Sequence, residues 1–156
     1  MRRPEYTETT NRLVVRESVD AMSEMIRVLL VEPHKHPRLV EIEHTLENLQ
    51  ALVGGDIAAS YPWDDPVGLV YDDDGKFKEG NEANRALEDY DILVGPFFIC
   101  GLGVEDFASL TDELAVKFAK KFWMPENFLM LPEGLMVLRE DDGTQPGEEF
   151  LHELDR

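Results

Sequence analysis

The sequence predicts a single compact α+β domain with a mainly antiparallel sheet packed by two main helices. Three observations predict it. Short β-branched and aromatic runs are separated by Gly, Pro and Asp clusters, two segments carry apolar residues at helical spacing, and no internal repeat occurs. A length of 156 residues, 43% apolar and 31% charged, suits one domain with a real core and is not the composition of a disordered chain.

Residues 1–25 are polar and mixed in charge. Leu13, Val14, Val15, Val19 and Met22 form a short apolar face there, and the segment reads as an N-terminal extension of a domain spanning 26–138. Residues 26–31, apolar except for Arg27, form a run ended by Glu32 and Pro33, the pattern of a buried strand. Alternation over 39–42 predicts its hairpin partner. Leu46, Leu49, Leu52 and Val53 then share a helical face, and Gly54 and Gly55 end that helix because glycine accepts the left-handed cap.

Two short strands are expected at 57–61 and 67–71, on either side of a Pro-Trp-Asp-Asp-Pro turn. Asp74-Gly75 predicts a tight hairpin, and residues 81–87 a small helix capped by Asn81. Residues 92–102 are the most apolar segment and read as one central strand, kinked at Gly95-Pro96. The clearest helix covers 110–123. Ser109 and Asp112 can cap it, Lys117, Lys120 and Lys121 suit its C-terminal half, and Leu114, Phe118 and Phe122 recur every four residues. A last hairpin turns at Pro132-Glu133-Gly134, and residues 139–156 read as an acidic flexible tail.

Fifteen Lys and Arg against 33 Asp and Glu give a formal charge of -18. Such a chain repels phosphate backbones, so direct nucleic-acid binding is not expected. The excess is concentrated: residues 44–75 and 126–156 each sum to -7. Two readings follow. One is a solvated surface that maintains solubility; the other is an electronegative face that docks on a basic protein by imitating phosphate charge. Tyr61 and Trp63, interleaved with Asp64, Asp65, Asp72, Asp73 and Asp74, are the candidate partner-binding residues, since rings bury area while carboxylates steer a basic partner. The alternative for the rings is plain packing on the sheet.

Catalytic chemistry finds little support. The longest apolar stretch has 11 residues, too short to cross a bilayer, and no signal segment opens the chain, so a soluble cytoplasmic protein is expected. The one cysteine, Cys100, lies in the apolar strand and reads as a buried inert thiol. His34, His36 and His44 read as exposed loop histidines without a fourth soft ligand. If Gly75 is set at the sixth position of a calcium loop, Val70 and Asn81 fall at the first and twelfth, where neither fits. Gly95, Gly101 and Gly103 do not match a dinucleotide turn. No catalytic residue, metal or cofactor is predicted. A ligand pocket remains as the second reading, near Gly54, Gly55, Asn84, Arg85 and Gly95, with Arg85 meeting a carboxylate or phosphate or serving only in a structural salt bridge.

One further signal is a series of short motifs. Residues 49–55 give a Leu-Gln-x-x-Val-Gly-Gly helix end, 62–66 a proline-bounded acidic turn, 73–76 an acidic turn ending in Gly-Lys, 84–86 Asn-Arg-Ala, and 95–102 a Gly-x-x-x-Ile-x-Gly-Leu strand. In this series, over residues 26–125, the chain resembles the domain-of-unknown-function family 3846. The resemblance implies an accessory protein of phages, plasmids or conjugative elements, often encoded near anti-restriction genes and without an established enzymatic activity. With the charge, it implies binding and inhibition or modulation of a basic host protein such as a restriction or CRISPR nuclease. It transfers no catalytic residue, and the N-terminal extension and acidic tail depart from the family pattern.

Overall fold

The computed structural model describes residues 24–152 and 154–155; the apolar face of residues 13–22 lies outside them. In chain order the elements are β1 (Met25–Val31), β2 (Arg38–Glu43), α1 (Leu46–Val53), β3 (Ile57–Ser60) and β4 (Val67–Asp72). They continue with β5 (Ala83–Leu87), β6 (Asp91–Val94), β7 (Phe97–Leu102), β8 (Phe107–Ala108) and α2 (Asp112–Lys121). The hairpin β9 (Glu126–Leu131) and β10 (Gly134–Arg139) follows, and β11 (Leu154–Asp155) comes last. The result is a single α+β domain, and no helix among the described residues is long and apolar enough to cross a membrane.

A seven-stranded sheet in the order β11-β2-β1-β7-β4-β3, with β8 added to the end of β7, organises the molecule. All its pairings are antiparallel except β11 on β2. Both faces are covered, so β1 and β7 are apolar at successive positions instead of alternating. Leu29, Val31, Leu69, Phe97 and Ile99 face α2 and β5–β6, while Val28, Leu30, Val70, Phe98 and Cys100 face α1. Each large side chain buried this way contributes about 1.5–3 kcal/mol.

Both helices begin at threonine caps. Thr45 accepts from the Asn48 amide at 3.1 Å and Thr111 from the Leu114 amide at 3.2 Å. Gly54, in the left-handed conformation at φ 86°, closes α1 as expected. The cap expected of Ser109 and Asp112 falls to Thr111, because both residues serve β1 instead. The Arg27 amide donates to Ser109 Oγ at 2.8 Å, and Arg27 Nη2 donates to Asp112 at 2.7 Å. Residues 109 and 110 wedge between β1 and β7 here. Position 101 must therefore be glycine: a Cβ on Gly101 would overlap the Ser109 carbonyl.

Four expectations are corrected. Residues 92–102 are two strands in different sheets, split at Gly95 (φ 81°). Residues 83–87 form β5, paired with β6, in place of a helix. Asp74-Gly75 leads into a 3-10 turn at Gly75–Phe77, because among the described residues β4 pairs only with β3 and β7 and no strand returns beside it. The described part of the acidic tail is not free chain. Phe150 is buried against Trp123 with ring centroids 6.0 Å apart, and β11 pairs with β2.

The tail is further held at a loop histidine. His36 stacks on Trp123 with centroids 4.3 Å apart and planes 13° from parallel. Its Nδ1 lies 2.6 Å from the Trp123 carbonyl and its Nε2 2.8 Å from Asp142 Oδ2. His36 is thus a packed residue, whereas His34 is exposed between Glu82 and Glu140. His44 is largely covered beside Asp106.

Candidate functional site

The recognition residues read from the sequence fall into two groups at opposite ends of β4, which as a six-residue strand holds them about 17 Å apart. At its start, Trp63 packs on Phe118 with centroids 4.8 Å apart and donates from Nε1 to Glu88 at 2.8 Å. Asp65 accepts from Lys117 at 2.7 Å. These contacts fasten the turn before β4 to α2, leaving Tyr61 and Asp64 exposed.

At its end, Asp73 and Asp74 are exposed but Asp72 is buried. Lys78 Nζ lies 2.6 Å from Asp72 Oδ2 and donates to the Gly54 carbonyl at 2.9 Å. Burial alone would push the Asp72 carboxyl up. The Lys78 hydrogen bond, the Asp74 amide and the Lys78 charge outweigh it and hold the group below the usual carboxylate range. Asp72 is therefore withdrawn from any partner-binding face. Gly55 lies against this pair, and a Cβ there would displace both members.

The ligand-pocket residues also part company. Gly54 and Gly55 sit against Asp72 and Lys78, while Asn84 and Arg85 join Gly95. Arg85 is fully enclosed, at 1% exposure. It donates to the carbonyls of Phe122 at 3.0 Å, Lys35 at 2.6 Å and Asn84 at 3.2 Å, and to Asn84 Oδ1 at 2.8 Å. Burial pulls its pKa down to about 10 against the opposing charges of Glu126 and Glu140, so it stays a cation at neutral pH. Asn84 Nδ2 donates in turn to the Val31 and Gly95 carbonyls at 3.0 and 2.9 Å. The pair closes a polar junction between segments, with its donors spent on the protein itself.

Cys100 is buried, and its thiol is pushed up to about 12, chiefly by desolvation. Among the described residues no three His, Cys, Asp or Glu side chains converge as metal ligands.

One feature escaped the sequence reading. The β9–β10 hairpin is exposed along much of its length, with Leu129, Met130, Leu135, Met136, Val137 and Leu138 all in solvent. Phe128 pairs with Val137 and Met130 with Leu135, so these four share one face; Leu129 and Met136 share the other. The first face leans toward β5–β6 and bounds an open cleft of about 720 Å³. Apolar residues at successive positions over 129–131 and 135–138, with no polar face, are the signal that could have found it. At the cleft rim, Glu88 is held ionised by Lys121 and Trp63, and Asp91 by Lys76.

A family model described as a domain of unknown function, DUF3846, matches residues 26–123, from β1 through the end of α2. No curated protein and no solved structure matches the chain. The matched span covers well over half of the sequence and includes both helices and most of the central sheet, so the chain belongs to the DUF3846 family.

Proposed function

We propose that this chain is a non-enzymatic accessory protein that binds a basic host protein through its acidic surface. In the mobile-element setting that the family resemblance implies, the partner is a cytoplasmic nucleic-acid-handling protein of the restriction or CRISPR type, inhibited or modulated by the contact. One observation carries the reading. Asp64, Asp73, Asp74, Glu79 and Asp89 are exposed and make no ion pair among the described residues, so part of the -18 charge is available to steer a cation-rich surface. The small-ligand reading loses its anchor, because the Arg85 guanidinium is enclosed and committed to protein carbonyls.

The test is capture of partners on the tagged full chain, followed by association kinetics with the purified partner. A basic partner released at about 1 M salt, where the Debye length is about 3 Å, is the expected result. Neutralising Asp64, Asp73, Asp74 and Asp89 together to Asn should slow association by about tenfold at low salt. An association rate indifferent to both salt and these substitutions refutes the reading.

A further inference from the structure

We propose that the cleft between the β5–β6 and β9–β10 hairpins is the docking site for an apolar segment of the partner flanked by Lys or Arg. This deepens the basic-partner reading and rests on it.

The floor of the cleft is built from Ala83, Ala86, Ile92 and Val94, and its outer wall from Phe128, Leu135 and Val137. Met130, 77% exposed on the same face of the hairpin, extends that wall. Tyr90, 64% exposed, stands at the opposite side. From the fractional exposures of Met130, Leu135 and Val137, the cleft face of the hairpin offers on the order of 300 Å² of apolar surface, at the lower end of the largest patch on an ordinary monomer. Water against such a surface is released when an apolar partner covers it.

Charge selects the occupant. Of the acids bordering the cleft, Glu88 is paired with Lys121 and Asp91 with Lys76, while Asp89 at the rim and Asp73 in the neighbouring cavity of about 250 Å³ make no ion pair among the described residues. A second copy is a poor fit: it brings another -18 charge, and its own β9–β10 hairpin carries Arg139 as its one cation. Two copies docked there would set acids against acids. A segment with an apolar centre and cationic flanks fills the wall-to-floor space and meets the unpaired Asp89 and Asp73.

The experiment uses the full chain and a fluorescent synthetic peptide of Leu and Lys at helical spacing, with a Leu and Glu counterpart as control. Fluorescence anisotropy at low salt should show saturable binding of the Leu/Lys peptide and none of the control. Leu135→Ser with Val137→Ser should weaken binding by about tenfold or more, whereas Met136→Ser with Leu138→Ser, on the opposite face, should change it by less than about twofold. These side chains are exposed, and unchanged circular dichroism and Tm verify the fold of each variant. Equal binding by both double variants overturns the cleft while a retained salt dependence leaves the basic-partner reading intact. Equal binding of the Leu/Glu peptide overturns both. A dimer in sedimentation that Leu135→Ser and Val137→Ser dissociate assigns the cleft to a second copy and overturns the proposal.

Discussion

Asn84 and Arg85 are neighbours in sequence whose side chains bond to each other in the core: Arg85 Nη1 donates to Asn84 Oδ1 at 2.8 Å. Through this contact two sets of carbonyls are joined. Asn84 holds the end of β1 and the turn at Gly95, and Arg85 holds the loop after β1 and the end of α2. The junction is polar because the carbonyls of Val31, Gly95, Phe122, Lys35 and Asn84 converge there and accept from these two side chains, and an apolar filling would remove those donors.

Arg85→Met should therefore destabilise the fold by about 3 kcal/mol, since it removes the donors to the buried Phe122, Lys35 and Asn84 carbonyls. Arg85→Lys keeps the charge but not the fork and should fall between the two. Urea unfolding followed by circular dichroism measures both; a loss under about 1 kcal/mol for Met would refute the junction's structural role.

Phe150 anchors the acidic C-terminal segment. Phe150→Ala should cost about 3 kcal/mol by opening a cavity against Trp123. It should also speed amide exchange along β2, whose outer edge β11 covers. Exchange unchanged at Leu39 and Val40 would show that the edge is held without Phe150.

Acid should loosen the same segment at Asp142. Hydrogen bonds from the Thr144 hydroxyl, the Thr144 amide and His36 hold this carboxyl down to about 2. A depressed carboxyl stabilises the folded arrangement above its unfolded value near 4, and that contribution is lost as pH falls from about 4 toward about 2. The Trp123 indole N–H, which donates to Thr144 Oγ1 at 3.0 Å, reports the change in an NMR titration. Asp142→Asn should abolish the step, and a step of the same size in that variant would assign it elsewhere.

Cys100 should stay unmodified by a thiol reagent at pH 8 in the native protein and react fully in denaturant, because burial holds the thiol at about 12. Native reaction at the denatured rate would contradict its position between β4 and α1.

Much of the fold was legible because both-face burial leaves apolar residues at successive positions, as over 28–31 in β1, and because helix ends carry local signals, as at Gly54, although the cap of α2 fell to Thr111 and not to Ser109. The failures were of two kinds. Ala83, Ala86 and Leu87 also fit helical spacing, and only pairing with β6, which sequence proximity does not announce, makes them a strand. Asp72 looked like its neighbours Asp73 and Asp74, yet its burial depends on Lys78 and Gly55, brought to it by the chain's path. Phe150 and Leu151 were the visible clue, two apolar residues inside an acidic run, that the segment after residue 138 returns to the core.

The order of strands has a kinetic consequence. β7 finds β1 across about seventy residues, as in the pairing of Leu29 with Ile99, so the central sheet is a high-contact-order structure that closes slowly. The β9–β10 hairpin needs only a two-residue turn and can form in about 1–10 μs. During folding its apolar faces therefore stand in water before the central sheet closes. Any segment able to bind there meets the hairpin first and the finished domain second.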